Sequence, residues 1–310
     1  MKFKRNSSCL FQSSRMTTCS MFVILLLLSS NSYGQQRNDP MFDTKVASPA
    51  HVSRHPRVLI DAAHNNAFSA KTHRIDPLAQ LLRADGLSVD TGRQPFTEQS
   101  LSSYDILVVT TALGKNHPAA PAFTPAEIDT VYQWVNKGGA MLFCIDHYPF
   151  GHSGKHLAER FGVRVFLDTV NDPVTGDRWH NDNSTPVYTR ANKGLADHPI
   201  TGGRNRDERL EKVAVFGGLS LTGPKGSSDL LRVSASAVKS GDPGKGPGTS
   251  QALALSVGQG RLVITADCSM WTAQLVTFDG KEYQYGMARK DFDNRQFALN
   301  VERWLSGKIK

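Results

Sequence analysis

The sequence predicts an α/β protein: a three-layer sandwich with a mostly parallel sheet, carrying an irregular, β-containing insertion at about 168–257. Two observations support this prediction. Short strand-like segments are apolar nearly throughout, which is typical of strands covered on both faces. Amphipathic helical segments alternate with them, and that order favours helices packed on both faces of a parallel sheet.

The first half of the domain alternates strands and helices. A helix is predicted over 76–85, since Asp76 can act as N-cap, Pro77 suits the first helical position and Gly86 can end the helix. A second helix begins after Thr124, which forms a capping box with the glutamate three residues later. The remaining predicted elements are strands at 57–61, 87–90, 104–111, 140–145 and 163–166, and a short helix at 155–161.

The second half is less regular. Residues 168–210 are polar and rich in Asn, Asp, Arg and Gly, which indicates an irregular insertion. The Gly-rich stretch 239–250 is predicted to be a mobile loop. The other predicted elements are strands of a smaller β region at 213–216, 230–235 and 252–257, a last core strand at 260–266 and a closing amphipathic helix at 294–305.

Composition excludes several classes of protein. The chain has 310 residues, 39% of them hydrophobic, which is enough for a core and excludes global disorder. Its formal net charge is +8, from 36 Lys and Arg against 28 Asp and Glu. The position of that basic excess decides whether it indicates a nucleic-acid partner.

The N-terminus has the pattern of a secretory signal peptide over residues 1–34. Four basic and no acidic side chains precede an apolar run, and the small residues Ser32 and Gly34 mark a cleavage site before Gln35. The apolar run, residues 21–28, is shorter than the roughly 20 residues that span a bilayer. An uncleaved membrane anchor remains the alternative.

Several expectations follow from that pattern. The protein is expected to be periplasmic or secreted. It is not expected to be a lipoprotein, because no Cys follows the apolar run. The true start is either Met1 or Met16. A polar linker is expected at 35–54, followed by a single α/β domain at 55–308.

Removal of the signal peptide changes the charge and cysteine content. It takes away four basic and no acidic side chains, which leaves 32 against 28 and a net charge of +4. Nucleic acid is therefore not an expected partner, and membrane contact is expected only through the export signal. Cys144 and Cys268 remain in apolar segments, so we expect two buried thiols, although a disulfide between them stays open.

Polar side chains follow three of the predicted strands, at the point where each strand ends. Because ligands of open parallel α/β sheets bind at the carboxyl ends of the strands, these side chains are expected to form one polar cleft. They are Asp61, His64, Asn65, Asp146, His147 and Asp267.

Three interpretations of this cleft stay open. Its carboxylates and imidazoles would suit a divalent metal such as Zn²⁺ or Mn²⁺, the one cofactor considered. They could instead hold hydroxyl groups and move protons. In the third interpretation the Asp residues cap the following helices and the His residues fill loops. The candidate metal ligands are Asp61, His64, Asp146, His147 and Asp267.

Cys144 is predicted to be a core thiol rather than a nucleophile. A nucleophilic residue on such a sheet sits in a sharp turn between strand and helix, with small residues two before and two after it. Here those positions hold Leu142 and Asp146, which are too large for a tight turn.

The chain resembles the class I glutamine amidotransferase-like superfold. More narrowly, it is similar to a bacterial branch of exported proteins akin to domains of gliding-motility and intraflagellar-transport proteins and to trehalose-utilisation-type domains. The motifs that carry the resemblance are VLIDAAHNN (58–66), YDILVVTT (104–111), FTPAEIDTVYQWVNKGGAMLFCIDHYPF (123–150), LAERFGV (157–163), ADHPITGG (196–203), GQGRLVITADCSM (258–270) and NRQFALNVERWLSG (294–307).

The resemblance implies a flavodoxin-like sheet and a ligand-binding role, commonly toward carbohydrate. It does not imply glutaminase activity, because the glycines that flank the amidotransferase nucleophile are replaced here and a downstream His-x-Glu pair is not evident. Fold analogy alone does not identify a ligand.

The sequence therefore predicts a protein that binds a small polar, carbohydrate-like ligand. In a hydrolytic version His147 would be the general base and Asp146 would orient it. Asp61 and Asp267 would hold substrate or metal, with His64 and Asn65 completing the ligand-binding set. The alternative is a non-catalytic interaction module of the cell envelope without an active site.

Overall fold

A nine-stranded mixed sheet organises the chain. The computed structural model describes residues 36–180, 183–240, 248–278 and 280–310, leaving out the side chains of 178–184. The predicted signal peptide and most of the predicted loop at 239–250 therefore lie outside the described residues. The described residues fall within one compact unit, Tyr33–Lys310.

The strands are β1 (Gln36–Asn38), β2 (Arg57–Asp61), β3 (Ser88–Gly92), β4 (Ile106–Thr110), β5 (Ala140–Cys144), β6 (Arg164–Phe166), β7 (Thr169–Asn171), β8 (Asp177–His180), β9 (Asn183–Thr185), β10 (Val187–Thr189), β11 (Lys212–Ala214), β12 (Ser220–Thr222), β13 (Ser228–Arg232), β14 (Val238–Ser240), β15 (Ser250–Val257), β16 (Gly260–Thr265), β17 (Ala273–Phe278) and β18 (Lys281–Gly286). The helices are α1 (Asp76–Ala84), α2 (Glu98–Leu101), α3 (Pro125–Asn136), α4 (Phe150–Arg160), α5 (Pro199–Gly202) and α6 (Asn294–Leu305), with 3₁₀ turns at Arg206–Glu208 and Ser269–Trp271.

The main sheet has a parallel half and an antiparallel half. Its order is β3-β2-β4-β5-β16-β15-β12-β6, and β13 also pairs with β15. The first five strands in this order run parallel to one another. The strands beyond β16 pair antiparallel. The carboxyl ends of the five parallel strands therefore share one edge, where the predicted cleft residues lie.

The antiparallel half corrects the prediction that residues 213–216, 230–235 and 252–257 form a smaller β region. β13 and β15 join the main sheet, because the chain turns back after β15 and β16 pairs with it along six residues from Ala252↔Thr265 to Val257↔Gly260, whereas β11 pairs, among the described residues, only with β10. Gly258 makes the turn possible with a φ of +57°. Residues 163–166, predicted as a fifth strand of the parallel series, form β6 at the far antiparallel edge instead.

Helices cover both faces of the sheet. The cluster on one face takes Leu78 and Leu82 from α1 and Phe297 and Val301 from α6. The cluster on the other face takes its helical residues from α2, α3 and α4. The α/β fold class is thus confirmed, with a mixed rather than a mostly parallel sheet.

The predicted capping box of α3 is confirmed. The Thr124 hydroxyl accepts from the Glu127 amide, and the Glu127 carboxylate accepts from the Thr124 amide over 3.0 Å. α1 differs in detail, since Ile75 is its N-cap and Asp76 lies in the first turn.

α4 begins five residues before the predicted start. Gly151 and Gly154 argue against a helix by propensity alone. They are needed for packing, because a Cβ on Gly154 would lie 2.8 Å from Cγ2 of Ile145 and one on Gly151 would lie 2.5 Å from Cδ2 of Leu219. Tertiary contact therefore overrides the weak local signal.

Residues 36–54, expected to be a linker, lie against the domain. β1 extends the β17–β18 hairpin by pairing with β17. Arg295 of α6 donates to the carbonyl oxygens of Asp43 and Lys45, and Arg204 donates to that of Ser48. These long-range bonds hold a segment that has no periodic pattern of its own. No helix in the described ranges is long and apolar enough to cross a membrane.

Candidate active site at the strand ends

The carboxyl edge of the parallel strands holds two separate polar networks. Asp61 ends β2, whereas Asp146 and Asp267 follow β5 and β16, which are neighbours. β4 lies between β2 and β5. The sequence predicted one cleft; the hydrogen bonds divide its residues into two groups.

The first network surrounds His64 and is closed to solvent. Its Nδ1 lies 2.9 Å from one Asp61 carboxylate oxygen and 3.0 Å from the other, and its Nε2 lies 2.9 Å from Oε1 of Glu127. Asn66 donates to Asp61 over 2.9 Å. Burial lowers the pKa of His64, but hydrogen bonds and attraction from Asp61 and Glu127 outweigh it and raise that pKa above its ordinary value.

Aromatic rings complete the enclosure of His64. The ring centroids of Phe96 and Phe123 lie 4.5 Å and 4.8 Å from that of His64. Both ring nitrogens of His64 and the Asp61 carboxylate are thus occupied by internal partners. Asn65 is exposed, with a φ of +49°. This network joins β2 to α3 and is arranged as a structural connection.

The second network contains the exposed imidazole of His147. Its Nδ1 lies 2.5 Å from Oδ1 of Asp146, and the same oxygen accepts from the His147 amide over 2.7 Å. The His147 side chain is 59% exposed, while that of Asp146 is 4% exposed. The hydrogen bond to Asp146 raises the pKa of His147 above its ordinary value, which burial opposes. Within the described residues, no hydrogen-bond partner is found for Nε2 of His147.

Asp267 lies beneath this pair. It is 1% exposed and accepts from the amides of Phe216, over 2.7 Å, and Ser269, over 2.8 Å. Burial raises the pKa of Asp267 to about 7, and the carboxylate of Asp146 adds to the shift. Asp267 in turn raises the pKa of His147. A buried carboxyl that titrates near neutrality therefore lies close to an exposed imidazole.

Gly218 allows the loop after β11 to pass close to Asp267. Gly218 has a φ of +86°, and a Cβ there would lie 2.2 Å from the carbonyl oxygen of Ala266. Only glycine fits so close an approach in that conformation. The loop that follows β11 is thereby pinned to the end of β16, which positions the Phe216 amide on Asp267.

The cysteines belong to the core beneath the second network. Cys144 and Cys268 are free and fully buried, as expected. The Cys268 amide donates to Oδ2 of Asp146 over 3.0 Å, and its thiol donates to the Cys144 carbonyl oxygen over 3.1 Å. Burial raises the pKa of the Cys268 thiol well above its ordinary value. Neither cysteine is placed as a nucleophile.

A cavity of about 230 Å³ lies near the second network, since its lining residue Leu219 and the Asp146 carbonyl oxygen both approach Gly151. It is lined by Tyr148, His152, Leu167, Asp168, Thr169, Leu219 and Ser240. Other cavities, of about 320 and 340 Å³, lie near Trp134 and Lys137 by the amino ends of the strands. Asp146 and His147 lie at the other edge of the sheet, so the smaller cavity, which Tyr148 lines directly after His147 in the chain, is the better candidate for a ligand.

The metal interpretation finds no support in the geometry. Among the described residues, no group of three or more His, Cys, Asp or Glu side chains is arranged to hold a metal ion. The candidate ligands are divided between the two networks, and each Asp61, Asp146 and Asp267 carboxylate accepts hydrogen bonds from within the chain.

Three site residues were not singled out from the sequence. Glu127 was interpreted only as part of a capping box, yet it also reaches His64, which lies 63 positions earlier. Tyr148 and His152 follow the Asp-His pair, and the one signal for them was their position just after a strand end.

The comparisons with known proteins show a fold. No family model and no curated protein matches the chain. The mmIFT52 N-terminal domain is similar in structure, with a TM-score of 0.59 at 17% identity over 81% of this chain and 97% of that domain. A cytoplasmic protein from Salmonella typhimurium has a TM-score of 0.46 at 19% identity, covering 82% of this chain and 99% of its own.

A ThuA-like protein from Parabacteroides merdae has a TM-score of 0.45 at 15% identity, covering 83% of this chain and 92% of its own. One of the groups of relatives named from the sequence, the intraflagellar-transport type, is thus represented among the similar solved structures by the mmIFT52 N-terminal domain. Identities this low establish no shared activity. The described chain has an α/β fold similar to that of the mmIFT52 N-terminal domain.

Proposed function

We propose that this protein binds a small polyhydroxylated ligand at the ends of β5 and β16 and hydrolyses a bond in it. One observation carries the proposal: the half-exposed imidazole of His147 is held by the buried carboxylate of Asp146, while its Nε2 faces away from that carboxylate. An imidazole fixed at one nitrogen and open at the other is suited to take a proton from water.

The proposed roles follow from burial and hydrogen bonding. His147 is the general base, and Asp146 fixes its tautomer and favours its protonated form. Asp267 is too deeply buried to touch a ligand, so we assign it the electrostatic control of His147 rather than substrate holding. Asp61 and His64 are assigned to the structural connection with Glu127, not to the ligand.

The fold and location complete the proposal. We propose that the parallel order β3-β2-β4-β5-β16 represents the flavodoxin-like sheet of the amidotransferase-like superfold. We also propose export into the periplasm or the medium through residues 1–34, for which the sequence pattern is the support. Cell fractionation with and without those residues tests the second point; retention of both forms in the cytoplasm contradicts it.

A hydrolysis assay tests the central proposal. The probes are p-nitrophenyl glycosides and p-nitrophenyl esters, with release of p-nitrophenolate as the readout. His147→Ala is expected to lower kcat by about 10²–10⁴-fold, the usual contribution of a positioned general base. His156→Ala, an exposed histidine on α4 paired with Glu159, is the matched control. Equal turnover in wild type and His147→Ala, or no turnover of any probe by wild type, contradicts the proposal.

One observation favours the non-catalytic alternative. Each oxygen of Asp146 and Asp267 already accepts at least one hydrogen bond, mostly from backbone amides that shape the loops. In that interpretation the carboxylates organise a surface of the cell envelope for interaction. Asp146→Asn then lowers stability and leaves turnover, if any, unchanged. A loss of turnover at unchanged stability favours the enzyme.

A further inference from the structure

The cavity of about 230 Å³ is joined to the Asp146–His147 pair from two sides. Tyr148, one of its lining residues, directly follows His147. Leu219, another lining residue, lies against Gly151, where an added Cβ would be 2.5 Å from Cδ2 of Leu219 and 3.0 Å from the Asp146 carbonyl oxygen. A ligand in the cavity would therefore lie close to the turn that carries His147.

His152 contributes an unsatisfied polar atom to this cavity. Its Nδ1 is buried and has no hydrogen-bond partner among the described residues. A buried polar atom without a partner is unfavourable and is usually explained by a missing water or ligand. His152 lines the cavity, so a turn of its imidazole ring would bring that atom to a hydroxyl group bound there.

Tyr148 supplies an aromatic surface. It is 61% exposed, which is unusual for so large a side chain, and its ring stands edge-on to His152 with centroids 5.1 Å apart. Leu167 and Leu219 form an apolar wall. A ring with hydroxyl groups at its edge and C–H groups on its faces matches an aromatic surface combined with polar partners.

The charges around the cavity are compensated. The Asp168 carboxylate accepts from the Ser220 amide over 2.7 Å and from its hydroxyl over 2.6 Å. Lys239 donates to the Gly248 carbonyl oxygen over 3.3 Å. It also interacts electrostatically with the Asp168 carboxylate. No uncompensated charge therefore faces the cavity among its described residues, which favours an uncharged ligand.

We infer that this cavity is a subsite for a single uncharged polyhydroxylated ring, with His152 as hydrogen-bonding partner and Tyr148 as aromatic platform. Its volume is below the 300–1,000 Å³ of pockets for drug-sized ligands, so one ring fits and a longer chain would extend into solvent. This inference rests on the proposed function, since it places the ligand next to His147.

Ligand binding by saturation-transfer NMR tests the subsite. The probes are methyl glycosides of glucose, galactose and mannose, with glucuronate and glucosamine as charged counterparts. We expect a neutral probe to bind, and Tyr148→Ala and His152→Leu each to weaken it at least fivefold. Tyr148→Ala changes an exposed side chain and so keeps the test valid if His152→Leu fails to fold. His156→Ala is the matched control on the same helix.

The outcomes separate this inference from the proposed function. Unchanged affinity in Tyr148→Ala, preference for a charged probe, or no binding of any probe to wild type overturns the subsite. If His147→Ala abolishes hydrolysis while the subsite variants bind normally, the proposed function stands and the subsite is wrong. If the subsite variants bind weakly while His147→Ala hydrolyses normally, the subsite stands and the proposed function is wrong.

Discussion

Asp146 and His147 are consecutive in the chain, and their side chains are hydrogen-bonded to each other over 2.5 Å between Oδ1 and Nδ1. The same Asp146 oxygen accepts the His147 amide, and its other oxygen accepts the Cys268 amide. The carboxylate therefore fixes the turn after β5 and the orientation of the exposed imidazole together.

The first prediction concerns the pKa of His147. Asp146 raises it above the ordinary value of 6.5. Asp146→Asn removes that negative charge, so the pKa of His147 should fall. The measurement is a pH titration of the imidazole resonances by ¹H–¹³C NMR. An unchanged His147 pKa would show that the Asp146 bond does not form in solution.

The second prediction concerns the His64 network. Glu127→Ala removes one of the two carboxylates that hold the buried imidazole, whose side chain is 7% exposed. Breaking a buried ion pair costs about 3–5 kcal/mol, so a loss of about 3 kcal/mol in the free energy of unfolding is expected. Urea denaturation measures it. Glu98→Ala, at a 90% exposed side chain paired with Lys137, should change stability by less than about 1 kcal/mol.

The pH dependence of that difference has a defined sign. The pKa of His64 is raised in the folded protein, so its contribution is fully present below pH 6.5 and is lost as pH rises through the folded pKa. Burial raises the pKa of Glu127, but hydrogen bonds from Thr124 and His64 lower it below 4.5 overall. Its contribution is therefore lost at acid pH. The stability difference should therefore be largest between about pH 4.5 and pH 6.5 and should decrease both below and above that range. A difference that stays constant outside the range contradicts this assignment.

The third prediction concerns Glu302 on α6. It is fully buried, both carboxylate oxygens lack hydrogen-bond partners among the described residues, and burial raises its pKa to about 8. Burial favours the neutral form of Glu302. Its contribution to the free energy of unfolding is therefore fully present below pH 4.5 and is lost as the pH rises through 8. Glu302→Gln should therefore stabilise the protein increasingly from pH 5 to pH 9, measured by urea denaturation. A constant difference across that range would show that Glu302 does not titrate there.

The fourth prediction concerns the ion pair of Asp85 and Arg303. Arg303 donates from Nε and Nη2 to the two Asp85 oxygens over 2.8 and 2.7 Å, and the side chains are 1% and 0% exposed. Arg303→Met leaves Asp85 buried without its cation and also removes the 2.9 Å pair of Arg303 with Glu208, which should cost about 3–5 kcal/mol. Replacing both residues, Asp85→Leu with Arg303→Met, should recover part of that loss. A double variant no more stable than Arg303→Met contradicts the account.

Local signals in the sequence predicted α6, the start of α3 and the strands of the parallel half, but not the hairpin of β17 and β18. α6 spans Asn294–Leu305 as predicted, since its apolar periodicity is unbroken. The capping box at Thr124 locates the start of α3 because its chemistry is local. The strands of the parallel half were found within a few residues for the same reason: each is a short apolar run between turn signals.

Long-range pairing could not be predicted in the same way. The attachment of β13, β12 and β6 to the main sheet depends on strand pairing across many residues, for which the sequence has no local signal. The first turn of α4 could not be predicted because of Gly151 and Gly154, which are explained only by packing against Leu219 and Ile145.

The hydrogen-bond partners of the candidate site residues could likewise not be predicted from the sequence. Asp61 and Asp267 follow strands in the same way, yet Asp61 is bound by His64 and Asn66, whereas Asp267 lies beneath an exposed imidazole. The difference arises from Glu127 and Phe216, partners distant in the chain. Strand ends therefore located the edge correctly but not the division into two networks.

The most direct test of the central claim is the pH titration of His147 in the presence and absence of the methyl glycoside that binds most tightly. If His147 lies at an accessible ligand site, its pKa is above 6.5 in the free protein and shifts when the glycoside is added. An imidazole with an unperturbed pKa that does not respond to any of the methyl glycosides would contradict the assignment of this strand-end pair as the functional site.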